Sequence, residues 1–116
     1  MAGRISYYGG IVTNGLVLAL DAAKKDSYPG SGTVWRDISG NGNNGTLTNG
    51  PTFNSGNGGS IVFDGVDDYV EYGLITQMSN LINITVSYWY YPTTTNVTKA
   101  LGGRYNNRPA ISINNG

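Results

Sequence analysis

A chain of 116 residues without cysteine or histidine has no disulfide staples, no thiolate metal site and no neutral-pH general base of the usual kind, which sets aside most hydrolase triads and zinc centres. Seven Lys plus Arg balance seven Asp plus Glu, so the field that would draw it to nucleic acid or to an anionic membrane is missing. The length suits one domain that buries roughly 65% of its unfolded surface, and 18 glycines and nine tyrosines among many Asn, Ser and Thr favour strands over helices: an all-β composition.

Residues 1–14 carry Arg4, Tyr7, Tyr8 and the pair Gly9-Gly10 without a sustained period. They read as an extended N-terminal arm, with Tyr7 and Tyr8 as candidate contacts to a neighbouring subunit. The start Met1-Ala2-Gly3-Arg4 lacks the apolar core of a secretory signal, and no apolar run approaches the ~20 residues of a membrane helix. Assembly inside the cell is therefore expected, with an extracellular or cell-surface location as the alternative. Leu16-Val17-Leu18-Ala19-Leu20 is an apolar run of strand length, expected to be a buried strand. The segment 22–28 has helical flavour but meets Pro29-Gly30 at once, which allows one helical turn at most.

Residues 33–38 read as a strand that places Trp35 in the core, and 45–47 as another. Between them Ser39-Gly40-Asn41-Gly42-Asn43-Asn44 supplies the residues that tolerate positive φ in a tight reversal. Residues 49–59 read as an exposed loop. Strands over 60–63 and 69–72 are expected to form a hairpin about Asp64-Gly65-Val66-Asp67-Asp68. From 82 to 91 the alternation is strict: Ile82, Ile84, Val86, Tyr88 and Tyr90 on one face, Asn83, Thr85, Ser87, Trp89 and Tyr91 on the other. The first face is expected in the core and the second half-exposed, with an aromatic patch at one end. Short strands over 99–104 and 109–113 complete the pattern.

Four of these stretches, Gly15-Leu16-Val17-Leu18-Ala19-Leu20-Asp21, Trp35-x-Asp37-x-Ser39-Gly40-Asn41-Gly42-Asn43-Asn44-Gly45-Thr46-Leu47, Ser60-Ile61-Val62-Phe63-Asp64-Gly65-Val66-Asp67-Asp68-Tyr69-Val70 and Ile84-Thr85-Val86-Ser87-Tyr88-Trp89-Tyr90-Tyr91-Pro92, follow one another in an order and spacing that resembles the laminin G-like branch of the concanavalin A-like lectin/glucanase superfamily. With Tyr7-Tyr8-Gly9-Gly10 and Tyr28-Pro29-Gly30 before Trp35, the chain looks most like the laminin G-like domains of tailed-bacteriophage structural proteins. The resemblance implies an antiparallel jelly-roll sandwich over residues 15–116. It also implies further strands beyond position 116, so the expectation is either a fragment or truncated domain, or a sandwich whose open C-terminal edge a neighbouring subunit covers. The partners so implied are other virion proteins and further copies of the chain, in the virion; a lectin-like module for cell-surface glycans is the alternative, and a glycoside hydrolase relative a remote one.

Asp64, Asp67 and Asp68 form the acidic cluster, and hard oxygen ligands of that kind suit Ca²⁺. Asp in a loop also commonly bonds its own backbone, and loop structure is the preferred reading. A glycosidase needs two carboxylates held across a sugar, whereas Glu71 is the sole glutamate and has no acidic companion on its strand face. No catalytic residue is expected. Trp89 and Tyr91, on the polar face, are the candidates for stacking on a sugar or on a protein partner; Asn41 and Asn43 in the loop 39–45 offer amide groups to a ligand, although the Gly and Asn content of that loop is what a tight reversal needs anyway. Asn44-Gly45-Thr46, Asn83-Ile84-Thr85 and Asn96-Val97-Thr98 match a glycosylation acceptor but carry little weight in so Asn- and Thr-rich a chain.

Overall fold

The computed structural model describes residues 12–80, 82–93, 99–104 and 108–113, the last two ranges by their backbone alone. The arm with Tyr7 and Tyr8 lies outside the described residues. Regular structure is strand, with two short 3₁₀ turns at Gly56–Gly58 and Thr76–Met78 and no α-helix among the described residues. Every strand pairing is antiparallel. The chain divides into two compact units, Met1–Leu81 and Ile82–Gly116.

In the first unit β1 (Val34–Trp35), β2 (Gly45–Thr48) and β5 (Tyr69–Tyr72) form a sheet in the order β1-β2-β5, while β3 (Thr52–Asn54) and β4 (Ser60–Val62) form a separate pair. The registers Trp35↔Gly45, Gly45↔Tyr72 and Leu47↔Val70 put these five residues on one face, where each is buried or half-buried. Val34, Thr46 and Glu71 occupy the other face and are exposed. This is the period of two that a half-solvated antiparallel sheet requires, and it places Trp35 on the inward side, as its apolar bulk dictates.

Gly45 marks the tightest point of that face. A Cβ there would lie 2.6 Å from Val70 Cγ1 and 3.0 Å from the Tyr72 ring, and Val70, β-branched, has little rotamer freedom with which to yield. Gly45→Ala is accordingly expected to lower stability by about 1–3 kcal/mol in urea unfolding. A change below about 0.5 kcal/mol would show that Val70 moves aside.

Three expectations are corrected. The strands at 60–63 and 69–72 do not form a hairpin: β4 pairs back with β3, and β5 crosses to β2. The loop between them turns on its own Asp side chains, so the chain leaves one sheet and enters another instead of folding back. The stretch 49–59, expected to be irregular, contains β3 and a 3₁₀ turn. Phe53 at the centre of β3 packs on Tyr28, ring centroids 5.5 Å apart, and this contact outweighs the local Asn and Gly content.

The third correction concerns 16–20 and 82–91, which carry no β-ladder. An apolar pattern supplies a face, but a ladder also needs a neighbouring backbone. Residues 16–20 are half-buried and joined to β1's continuation by one backbone bond, Ile38 N to the Ala19 carbonyl at 2.9 Å, and otherwise by side chains. The expected helical turn is present: Tyr28 N donates to the Lys24 carbonyl at 2.8 Å, just before Pro29.

In the second unit β6 (Lys99–Arg104) and β7 (Arg108–Ile113) form an antiparallel pair with register shifts between Ala100 and Gly102 and between Gly102 and Arg104. All of 82–91 is exposed: on the face expected in the core Ile82 is 96% exposed and Ile84, Val86, Tyr88 and Tyr90 are 43–55%, against 101% for Trp89 and 90% for Tyr91 on the other. The face expected in the core is thus open. Among the described residues, no helix is long and apolar enough to cross a membrane.

Candidate functional site

The signature from Trp35 to Gly45 builds a polar clasp around the segment 16–20. Asp37 is its hub. One carboxylate oxygen accepts the amides of Ala19 at 3.0 Å and Ser39 at 2.8 Å; the other accepts the Asn43 amide at 2.9 Å and the Ser39 hydroxyl at 2.8 Å. Asn44 Oδ1 accepts the Asp37 amide at 3.0 Å. Gly40 and Gly42, at φ of 92° and 72°, supply the left-handed backbone that lets so short a loop turn its amides inward.

Asn41 and Asn43 take part in the same clasp. Asn41 Nδ2 donates to the Leu16 carbonyl at 2.9 Å, and Asn43 Nδ2 to the Val17 carbonyl at 3.0 Å and to Gln77 Oε1 at 3.2 Å. Their amide groups tie the 16–20 segment, whose carbonyls have no ladder, to the loop. Burial is the largest single influence on Asp37 and pushes its carboxyl up, yet the hydrogen bonds from Ala19, Ser39 and Asn43 together outweigh it and hold the pKa below the ordinary value of 3.8.

Below this clasp Ser27 is wholly buried. Its hydroxyl donates to the Arg36 carbonyl at 2.6 Å and accepts the Asp21 amide at 3.0 Å, while Arg36 N donates to the Ser27 carbonyl at 2.7 Å. The chain from 27 to 36 is thereby closed into a loop, pinned inside by Tyr28 Oη donating to the Gly32 carbonyl at 2.8 Å. A shallow cleft of about 240 Å³ opens on it, lined by Lys25, Pro29, Gly32, Thr33 and Arg36 among others. Nothing in the sequence singled out this cleft, because the two cations that flank it are neither adjacent nor periodic.

Asp64, Asp67 and Asp68 do converge, with one carboxylate oxygen from each within 4.8 Å of the others. Asp64 Oδ1 accepts the amides of Val66 at 2.8 Å and Asp67 at 3.4 Å, and Asp68 Oδ2 accepts the Asp64 amide at 2.9 Å. Two of the three side chains therefore shape the loop that redirects the chain from β4 to β5. Asp68 Oδ1 is buried without a hydrogen-bond partner among the described residues, while Asp64 and Asp67 are exposed. Oxygens so spaced meet the reach of a cation with Ca–O distances of about 2.3–2.6 Å, but exposed acidic groups of this kind are common without an ion, and Asp64 and Asp68 are already engaged with the loop's own amides.

Trp89 and Tyr91 stand in the second unit at almost full exposure, in phase with exposed Asn83, Thr85 and Ser87. Glu71 lies exposed on β5 opposite Thr46, on the outward face, where no acidic residue is its cross-strand partner. Comparisons with protein-family models, with curated proteins and with solved structures returned no match.

Proposed function

We propose that the chain is a non-enzymatic binding module, a laminin G-like jelly roll of the kind used in tailed-phage virions, that joins virion subunits through an aromatic face. The observation that carries this reading is the exposure of Trp89 and Tyr91, 101% and 90%, on one phase of a strictly alternating segment. Large rigid aromatics are the residues most enriched among interface hot spots, and two of them left in water side by side favour a partner that covers them. The clasp around Asp37 supports a scaffold role for the signature, since its polar groups are engaged with the chain's own backbone. The lone Glu71 supports the absence of glycosidase chemistry, which needs paired carboxylates.

A lectin-like role for cell-surface glycans is the second reading, favoured by the polar Asn83, Thr85 and Ser87 in phase with the two rings. A glycan array with and without Ca²⁺, run beside a measurement of mass in solution, separates them. The proposal expects association with itself or with virion proteins and no glycan signal; a clean monomer that binds sugars would overturn it, and binding that appears only with calcium would assign the Asp64–Asp68 loop to the metal. Trp89→Ala is expected to weaken partner binding by about 30-fold or more with a melting temperature unchanged within about 2 °C. Matching thermal and binding losses would place Trp89 in a core instead.

A further inference from the structure

We propose that Asn14-Gly15 is a site of self-catalysed modification, at which the Gly15 amide nitrogen closes on the Asn14 side-chain carbonyl and converts Asn14 to aspartate and isoaspartate. In the first step the amide nitrogen gives up its proton to solvent and attacks Asn14 Cγ. The N–Cγ bond forms, the Cγ–Nδ2 bond breaks, and Nδ2 takes a proton from solvent and leaves as ammonia. Water then opens the cyclic imide at either carbonyl, to aspartate or to isoaspartate, with no change of oxidation state. Asparagine is a thermolabile residue, and a following glycine leaves the attacking nitrogen unshielded by a Cβ.

The chain holds six Asn-Gly pairs, five of them within the described residues, and their surroundings differ. Asn41 Nδ2 donates to the Leu16 carbonyl and to the Ser39 hydroxyl oxygen, each at 2.9 Å. Asn44 Oδ1 accepts the Asp37 amide at 3.0 Å while Gly45 is held in the β2 ladder, and Asn49 Nδ2 donates to the Asp67 carbonyl at 2.8 Å. Each of these side chains must break a hydrogen bond before it can swing onto the next amide. Asn57 has no side-chain partner among the described residues, but it sits inside a 3₁₀ turn at φ 54° and ψ 31°. That turn ends on Gly59, where a Cβ would lie 2.7 Å from the Ala22 carbonyl oxygen, so backbone rotation there is resisted.

Asn14 has none of these restraints. Asn14 and Gly15 are exposed, and neither the Asn14 side chain nor the Gly15 amide has a hydrogen-bond partner among the described residues. Apart from its chain neighbours, nothing lies within 4 Å of a Cβ placed on Gly15. The bond across the turn, Leu16 N to the Thr13 carbonyl at 3.0 Å, leaves both reacting groups outside it. The product adds a carboxylate to a chain of zero net charge, and isoaspartate adds a methylene to the backbone where residues 1–13 meet the segment held by the clasp. The site lies wholly within the first unit and does not rest on the role given to Trp89.

The test is a time course of the whole chain at mildly alkaline pH, folded and, in parallel, unfolded in urea, with each site assigned by peptide mapping and fragment mass spectrometry. In the folded chain Asn14 is expected to convert at least about 10-fold faster than Asn41, Asn44 and Asn49, the factor that about 1.4 kcal/mol of local opening at those sites supplies. Asn57 is expected to fall between. In urea, where the hydrogen bonds are gone, the five rates are expected to draw together to within about 3-fold. Asn14→Gln, whose longer side chain must close a larger ring, is expected to abolish conversion in the tryptic peptide Ile5–Lys24 and to leave the melting temperature in place. A folded-chain rate at Asn14 no higher than at Asn41, Asn44 and Asn49 would overturn the proposal. So would the same spread of rates in urea as in the folded chain, or conversion of that peptide that persists in Asn14→Gln.

Discussion

Asp37→Ala is expected to destabilise the protein by about 3 kcal/mol or more, enough to remove much of the roughly 5–15 kcal/mol that holds a domain folded. The carboxylate receives four hydrogen bonds, from the Ala19, Ser39 and Asn43 amides and the Ser39 hydroxyl. Bonds to a charged acceptor contribute about 1.5–3 kcal/mol each, but the four share one side chain that is only half-buried. They do not add, and solvent screening lowers the sum. Urea unfolding reads the loss directly, and a change below about 1 kcal/mol would show that water replaces the carboxylate at those amides.

The same residue predicts an acid limb. Its folded pKa lies below the ordinary 3.8, so the unfolded chain takes up the proton first as pH falls. The contribution is complete well above pH 3.8 and is lost as pH drops through that value and then through the lower folded one. In Asp37→Asn this part of the limb should flatten. An unchanged slope of stability against pH in that variant would contradict the hub role.

Trp35→Ala is the second large effect, expected at about 3–5 kcal/mol. Trp35 lies on the inward face of β1, paired across the sheet with Gly45, on the face that also carries Leu47, Val70 and Tyr72. Its Nε1 is buried and has no hydrogen-bond partner among the described residues. A buried unsatisfied donor costs about 1–3 kcal/mol, so Trp35→Phe, which removes the donor and keeps most of the ring, should be markedly milder than Trp35→Ala. Equal losses for the two would mean that the indole N–H is hydrogen-bonded in solution. A loss below about 1 kcal/mol for Trp35→Ala would place the side chain at the surface.

Strands at 34–35, 45–48, 60–62 and 69–72 were legible because each is a short β-branched or aromatic run closed by Gly, Asn or Asp. The positive φ of Gly40, Gly42, Gly65 and Asn49 shows why those residue types punctuate the chain. The inward place of Trp35 was expected from its apolar bulk, since so short a segment fixes its faces only weakly. Partner choice was not legible. Nothing within 60–72 says that β4 returns to β3 while β5 crosses to β2, since that depends on Phe53 meeting Tyr28 and on Asp64 and Asp68 folding the loop onto its own amides. Nor could the run 16–20 reveal that its carbonyls would be met by Asn41 and Asn43 side chains instead of a neighbouring strand. Those two asparagines read from sequence as open amide donors because a loop's composition is the same whether its side chains face a ligand or its own backbone.

For the candidate site, the convergence of Asp64, Asp67 and Asp68 follows from their being within one tight loop, and the exposure of Trp89 and Tyr91 follows from the alternation. The cleft between Lys25 and Arg36 follows from neither. It arises where a Pro-Gly turn is closed by the buried Ser27 hydroxyl, and buried serines leave no periodic mark in a sequence.

Trp89 and Tyr91 are proposed as a protein-contact face. Sedimentation equilibrium of the wild-type chain and of Trp89→Ala/Tyr91→Ala, up to about 0.5 mM, tests it most directly. The wild-type chain is expected to self-associate within that range and the folded double variant to stay monomeric. A wild-type chain that is monomeric throughout and binds sugars, or a double variant that associates as tightly as wild type, would contradict it.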